Sequence, residues 1–591
     1  MSSEQGTPQK LCSNETNNRK EEVIDNFHEN PVKQNKVNQF SIFNVKFTSN
    51  NIPWDLPELI EEILQYFRKD LSTLYSCILV NRLWCRLAIP LLWEDPFSIP
   101  TQHYRCIETY LCFLNEDSKA KFNEYLINDN LFLSNSTLFN YPNFIKYLDT
   151  SKICQSIKYW VDTLLDVYNN ELGNLVYRSL FEVFIESEGS LHSFEVVMIT
   201  DYGCDGYFND NIDLILQNPN LTYNIRYLNF DHYAISPQNT FSFLKFLYSN
   251  CNSISSIIFF FPTYGISFSF SLIENYLTQI IISQHNLKKI SFGYYINPHD
   301  SLLSLKNSNC SNTLNTIIFC FIDFENIVNI LQEAFDQLNV LESIHILYCD
   351  SLNSDFVQQI IKVNKPFKLK SLFVNEILHL ESLQLLLQKF IDYLENFGFE
   401  YDEYDEQKRQ LLKFITKYCK KIKYFDSGIP DDDNNIYLLI EINQHNINYI
   451  TIEVNISNYT NYKELSSTVL QNLGQVLPIK LEYLCLSLSF KTSDLEIFLK
   501  NSQNTFIKKL LIKNIMMVKD ENILFCIKKY IMKKEKVKYL AILESGSDDD
   551  NVEDELFFLK DEVNEFKSHN IIVQKYNDLC ILAYDYINNH L

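Results

Sequence analysis

A short apolar motif recurs along most of this chain and constrains its fold more than any other feature. The motif has the form apolar-x-x-apolar-x-apolar, and successive copies begin about 29 residues apart on average, within the range of solenoid repeats. Each copy predicts a short strand, and stretches with helical periodicity, such as residues 327–335, lie between the copies. A strand and a helix repeated in this way wind into a curved solenoid, with a parallel sheet on the concave side and helices on the convex side. The copies begin at Leu191, Ile225, Ile254, Leu287, Leu314, Leu341, Leu369, Leu394, Ile422, Ile447, Leu481, Ile507 and Val537.

The repeated units resemble leucine-rich repeats. The clearest copy runs from Leu341 to Leu352 and places Cys349 where the family motif has Cys or Asn. The predicted fold class is therefore α/β, with a leucine-rich-repeat solenoid over residues 191–591. A helical linker that caps the solenoid is expected over residues 98–190.

In a leucine-rich repeat, the residues between the inward leucines face the concave surface, where a target protein is expected to bind. The stretch 508–538 adds ten lysines and only three acidic residues, in a chain whose net charge is −23. This local charge favours an acidic partner, and the alternative is that these are ordinary solvated lysines. The candidate target-binding residues are His345, Phe373, Tyr449, Tyr483, Lys508, Lys509, Lys513 and Lys538.

The segment 53–97 predicts three short helices. Asp55 can cap the first, Pro57 suits its first turn, and Asp70 can cap the second. A third helix around Trp84 is expected to stop before Pro90. The core of so few residues is small, so we expect a partner to stabilise it.

The same segment resembles the F-box. It reproduces that motif in order and spacing with Leu56-Pro57-Glu58, Ile63-Leu64, Asp70-Leu71, Val80-Asn81-Arg82-Leu83-Trp84 and Leu92-Trp93. The resemblance implies that residues 51–97 form a three-helix F-box, which binds a Skp-type adaptor and, through it, a cullin–RING ubiquitin ligase. Leu56 and Pro57 would insert into the adaptor, whereas Ile63 and Trp84 are also explained as core of the helices. The candidate adaptor-binding residues are Trp54, Leu56, Pro57, Ile60, Ile63, Leu64, Leu71, Val80 and Trp84.

The amino-acid composition of the chain limits the kinds of partner that it is expected to bind. The net charge of −23 disfavours nucleic acid, and no apolar run is long enough to predict a membrane span. Residues 1–50 are too polar to form a core and predict a disordered tail. The 15 dispersed cysteines are typical of reduced thiols, which favours the cytoplasm or the nucleus.

The chain contains no motif typical of a nucleotide-binding, hydrolase or zinc site, so we expect no catalytic residue, no metal and no cofactor. The resemblances together favour a substrate-recognition subunit of an SCF-type E3 ubiquitin ligase, which is not itself an enzyme. The F-box would bind the Skp adaptor and the repeats would bind an unknown target protein. The alternative is a leucine-rich-repeat interaction scaffold without ubiquitin transfer.

Overall fold

The computed structural model of the chain describes residues 57–590 with internal gaps. The chain forms two compact units, Met1–Ile60 and Glu61–Leu591, and the first is described only at residues 57–60. The predicted tail over residues 1–50 and the predicted roles of Trp54, Asp55 and Leu56 therefore lie outside the described residues. The gaps are residues 69, 99–104, 126–136, 166–168, 198–205, 232–234, 261–269, 294–295, 306–307, 378, 401–405, 429–433, 455–461, 518–522, 533–535 and 547–552.

The described strands join into one sheet of sixteen. They are β1 Tyr147–Asp149, β2 Ser193–Val196, β3 Tyr227–Asp231, β4 Ser256–Phe260, β5 Lys289–Gly293, β6 Thr316–Cys320, β7 Ser343–Leu347, β8 Lys368–Val374, β9 Asn396–Phe399, β10 Tyr424–Asp426, β11 Tyr449–Glu453, β12 Lys480–Leu488, β13 Phe506–Met517, β14 Val537–Gly546, β15 Glu553–Glu555 and β16 Ile572–Val573. From β1 to β14 each strand is parallel to the next in chain order. Strands β2–β14 each begin within two residues of a predicted motif start. This mixed α/β arrangement is compatible with a leucine-rich-repeat solenoid.

Helices occupy most of the connections between strands. They are α1 Pro57–Gln65, α2 Leu71–Ile78, α3 Arg82–Leu92, α4 Arg105–Leu111, α5 Glu116–Ala120, α6 Thr150–Leu165, α7 Asn170–Glu186, α8 Tyr207–Gln217, α9 Pro237–Asn250, α10 Phe270–Ser283, α11 His299–Ser304, α12 Leu331–Gln337, α13 Ser354–Lys362, α14 Leu380–Phe390, α15 Glu406–Tyr418, α16 Asn435–Ile442, α17 Tyr462–Val476, α18 Thr492–Asn501, α19 Ile523–Tyr530, α20 Lys560–Ser568, α21 Tyr576–Leu579 and α22 Ala583–His590. Within the described residues, none of these helices has the length and apolar character that a membrane span requires.

The main hydrophobic core lies between the sheet and the helices. Inward residues of the repeat, such as Ile344 and Ile346 of β7, are buried in one continuous cluster that extends from Phe97 to Val573. Because neighbouring strands are parallel and in register, equivalent side chains stack on one another. The repeated apolar pattern therefore produces a single elongated core rather than a series of separate ones.

The sheet begins earlier than the sequence predicts. Strand β1 lies within the segment expected to be helical, and it pairs with β2 in the register Tyr147 to Ser193. Its one inward residue, Leu148, is buried, but a single apolar residue is too short a pattern to identify a strand. Helices α6 and α7 follow β1, so most of the remaining segment is helical as expected.

Helix α3 also departs from the prediction, because it continues through Pro90 to Leu92 instead of ending before the proline. Proline removes one backbone hydrogen bond from a helix interior. Leu91 and Leu92 are both buried, and their burial in the last turn offsets that loss.

After β14 the repeat pattern ends. Strand β15 pairs antiparallel with residues 543–545 of β14, and β16 pairs parallel with Tyr539 and Leu540, nearer the start of the same strand. These two short strands cover the last edge of the sheet, which would otherwise present unpaired backbone groups. The chain then turns back, and residues 576–590 cross the face of the sheet that lies opposite the main core.

Candidate functional site

The N-terminal helices expose an unusual number of apolar side chains. Ile63, Tyr66, Tyr75, Leu79 and Val80 are 47%, 89%, 51%, 83% and 59% exposed. Exposed apolar residues concentrated on such short helices are typical of a protein-binding surface. Ile63 and Val80 were among the predicted adaptor-binding residues. Tyr66, Tyr75 and Leu79 were missed, although the four-residue spacing of Tyr75 and Leu79 is typical of one helical face and could have identified these two.

The remaining predicted adaptor-binding residues of the described part differ in exposure. Pro57 is exposed, Leu71 and Trp84 are half-buried, and Ile60 and Leu64 are buried. Burial of the last two fits a structural role in the helices. Their contact with an adaptor stays a prediction, as does that of the exposed residues.

Local hydrogen bonds fix the turn that carries Leu79 and Val80. The Asp70 carboxylate accepts a hydrogen bond from Thr73 N at 3.1 Å and caps α2, as predicted. Asn81 Oδ1 accepts hydrogen bonds from Leu83 N at 2.9 Å and Trp84 N at 3.0 Å and caps α3. The two exposed apolar residues therefore lie on a turn that leads directly into a capped helix.

An ion pair and two backbone hydrogen bonds connect these helices to the sheet. Arg68 Nε lies 2.6 Å from Glu94 Oε1, and the Glu94 carbonyl accepts hydrogen bonds from Lys146 N and Tyr147 N, at the start of β1. Burial raises the pKa of Glu94 to about 7, although Arg68 opposes that shift. The helices are thus attached to the first strand of the sheet.

The strand register aligns a second set of side chains along the face of the sheet opposite the main core. Equivalent positions on successive strands are occupied by His345, Ser371, Asn396, Tyr424, Tyr449, Tyr483, Lys509 and Tyr539. Four of these residues are tyrosines, whose rings belong to or pack against two apolar clusters that also contain the neighbouring Leu347, Phe373 and Leu511. An uncovered surface of this composition would be a substantial apolar patch.

The C-terminal segment, residues 576–590, covers this surface. Ala583, Tyr586 and Ile587 of α22 pack against Phe373 and Tyr424. Nearer its start, Tyr576 and Leu579 of α21 pack against side chains of β12, β13 and β14. The segment therefore follows this face of the sheet from the last strands back toward the middle.

Polar contacts fix the path of this segment. Tyr424 Oη donates a hydrogen bond to the Ile581 carbonyl at 3.3 Å, and Ile581 N donates one to Tyr483 Oη at 3.1 Å. Lys289 Nζ of β5 donates a hydrogen bond to the Asn588 carbonyl at 2.6 Å. Burial lowers the pKa of Lys289 to about 8. These bonds connect backbone groups of the segment to side chains of three different strands.

Three of the predicted target-binding residues, Phe373, Tyr449 and Tyr483, contact this segment. His345, Phe373 and Tyr483 are fully buried, and the Tyr449 ring lies 4.5 Å from that of Tyr586. Burial lowers the pKa of His345 to about 3, and its Nδ1 shares a hydrogen bond of 2.7 Å with Ser371 Oγ. His345 is therefore a neutral, interior residue in this conformation. The role of all four residues in target binding stays a prediction.

The predicted basic surface has acidic neighbours that the sequence window did not contain. Lys508 Nζ lies 2.8 Å from Glu482 Oε2 on the adjacent strand. Lys528 and Lys529 pair with glutamates of neighbouring helices. Lys509 and Lys513 are half-buried, and Lys538 is exposed and lies over the Tyr539 ring. Ion pairs between neighbouring repeats therefore make the local positive charge smaller than the count of charged residues in 508–538 predicts.

Comparison with known proteins identifies no family for this chain. No protein-family model matches it, and no curated protein matches it. Among solved structures, the crystal structure of a Rad7 and Elc1 complex in yeast matches with 13% sequence identity and a TM-score of 0.33, covering 66% of this chain and 90% of that chain. A similarity at this level does not establish a function, so the functional assignment depends on the residues of the chain itself.

Proposed function

We propose that this chain is the substrate-recognition subunit of an SCF-type E3 ubiquitin ligase. The observation that carries the proposal is that the F-box-like motif coincides with exposed apolar side chains on α1 and α2 and on the turn before α3. These include Ile63 and Val80, which the motif itself assigns to adaptor binding. Apolar anchors that leave water on binding supply most of the free energy of a protein interface.

In this proposal the chain has no active site of its own. The N-terminal helices bind a Skp-type adaptor and thereby a cullin–RING ligase, and the solenoid holds the target near the ubiquitin-loaded enzyme. The contribution to the reaction is proximity. Because the C-terminal segment covers the middle of the sheet face opposite the main core, we further propose that the target contacts the solvent-facing side of that segment together with Lys513 and Lys538.

Capture of the adaptor tests this function. The double variant Ile63→Asp/Val80→Asp introduces two charges at side chains that are already exposed, so the chain should fold normally. Adaptor binding should weaken about 100-fold, because a charge buried at an interface without a partner is costly. The matched control is Leu385→Asp/Ile479→Asp, which makes the same change at side chains that are 52% and 82% exposed elsewhere on the chain. The control pair should bind the adaptor normally.

The outcome separates the two candidate functions. Equal adaptor capture by both double variants would show that the F-box assignment is wrong. A chain that captures other proteins but no adaptor and no cullin would be an interaction scaffold without ubiquitin transfer.

A further inference from the structure

The residues that immediately precede the first strands form a continuous row along one edge of the sheet. On β1 to β5 the members of this row are Lys146, His192, Arg226, Ser255 and Lys288. From His192 onward, the backbone N–H of each member donates a hydrogen bond of 2.8 Å to the carbonyl of the member before it. Neighbouring strands lie about 4.8 Å apart, so the five residues extend over about 19 Å.

Basic side chains predominate in this row. We call Lys146, His192, Arg226 and Lys288 the basic row. The last three are exposed, and Lys146 is half-buried with its Nζ donating a hydrogen bond to the Ser190 carbonyl at 3.3 Å. Among the described residues, none of the four forms an ion pair with a carboxylate. The basic row is therefore not neutralised by contacts of its own.

The electrostatic surroundings of His192 agree with this arrangement. Partial burial lowers the pKa of His192, and so do three nearby cations, Lys146, Arg226 and Arg68. The charged groups that act on this imidazole are all positive. Glu94 lies near the β1 end, but it is buried and paired with Arg68 at 2.6 Å. A positive potential therefore remains along the basic row.

The same position of the later repeats is neutralised within the chain. Lys423, which precedes β10, lies 2.8 Å from the carboxylate of Glu395, which precedes β9. Lys508 and Glu482, on adjacent strands, make an equivalent ion pair of 2.8 Å. Acidic and basic residues thus pair across neighbouring strands where both are present. On β1 to β5 the row has no acidic member, so negative charge must come from another molecule.

The geometry of the basic row favours a ligand with several separate negative charges. A single phosphate group is bound by donors that converge on it, whereas these side chains start from successive strands in a line. An extended peptide rises about 3.3 Å per residue, so about six residues match the length of the row. The net charge of −23 disfavours a long nucleic acid. A short peptide feels mainly the nearby charges, because salt screens those more than about 10 Å away.

We propose that the basic row binds an extended, acidic segment of a partner protein, with its carboxylates paired to Lys146, Arg226 and Lys288. The basic row is separate from the exposed apolar side chains assigned to adaptor binding. Failure of this proposal therefore leaves the proposed function intact, and the reverse also holds.

Fluorescence anisotropy of the full chain tests the proposal. The probe is a blocked peptide of six alternating Asp and Glu residues that carries an uncharged fluorophore. We expect saturable binding with a Kd below about 100 μM in 50 mM NaCl, and about tenfold weaker binding in 300 mM NaCl because salt screens the charges. Arg226→Gln/Lys288→Gln should weaken binding about tenfold, because it removes two exposed charges that face the peptide.

The matched control is Arg409→Gln/Lys423→Gln. It removes the same two types of cation, but Arg409 lies 2.8 Å from Glu406, and Lys423 lies 2.8 Å from Glu395. This control should bind the peptide like the wild type, and equal thermal midpoints would show that both double variants fold.

Four outcomes would overturn the proposal. They are no saturable binding to the wild type up to about 100 μM protein, equal binding of the neutral peptide of alternating Asn and Gln, equal weakening in both double variants, and tighter binding of a thymidine hexanucleotide than of the acidic peptide. The last result would assign the basic row to nucleic acid instead of protein.

Discussion

Buried carboxyl groups are the most distinctive individual residues of this fold. Burial raises the pKa values of Glu94, Glu195 and Glu544 to about 7 each. A glutamate whose pKa is higher in the folded than in the unfolded chain binds its proton more tightly when folded. Its stabilising contribution is complete below pH about 4.5 and is lost as the pH rises through about 7. The chain should therefore be more stable in mildly acidic than in neutral solution.

Glu195 provides a test of this pH dependence. Its Oε2 accepts a hydrogen bond from Asn229 Nδ2 at 3.3 Å, and burial together with the Asp149 carboxylate raises its pKa. Glu195→Gln keeps the hydrogen bond and removes the titrating group. We expect the decrease in thermal midpoint between pH 5 and pH 7.5 to become smaller, by an amount that corresponds to about 1–3 kcal/mol at most. Glu186→Gln, at an exposed glutamate of α7, should leave the profile unchanged. If both variants retain the wild-type profile, Glu195 is not a source of the pH dependence.

The sequence predicted helices and strands correctly where the apolar motif repeated. The repeated motif identified β2–β14 to within two residues, and Asp70 was correctly identified as a cap. The path of residues 576–590 could not be predicted, because the surface that binds them exists only once the strands of many repeats are in register. The repeat correctly placed Tyr483 on the sheet face away from the main core, but its burial depends on α21 and on residues far along the chain.

The attachment of α22 can be tested with a pair of charge variants. Ile587 is 1% exposed in the cluster with Cys320, whereas Asn589 of the same helix is exposed. Ile587→Asp should release the helix, because an unpaired charge in an apolar cluster costs several kcal/mol. Amide hydrogen exchange over residues 583–590 should become about 100-fold faster, and Cys320 should react more rapidly with alkylating reagents. Asn589→Asp adds the same charge and should change neither rate, and protection of α22 in both variants would contradict the proposed packing.

The C-terminal segment makes the stability of distant repeats depend on one another. In a simple solenoid each repeat contacts only its neighbours, so stability is a sum of local terms and cooperativity is limited. Here Asn588 accepts a hydrogen bond from Lys289 of β5, while Tyr576 packs near β12–β14. One short segment therefore connects repeats that are distant in the sequence. Loss of the contacts at one end of the segment should weaken the contacts at its other end.

Calorimetry can measure this coupling. The wild-type chain should unfold in one cooperative transition over the strands that the segment connects, because β5 and β14 share contacts with the same fifteen residues. In Ile587→Asp the segment no longer packs against the middle strands. The unfolding transition should therefore broaden or divide, and the ratio of van't Hoff to calorimetric enthalpy should fall. Asn589→Asp serves again as the control and should keep the wild-type transition. An unchanged ratio in Ile587→Asp, with α22 shown by hydrogen exchange to be released, would mean that the repeats are coupled through their own interfaces alone.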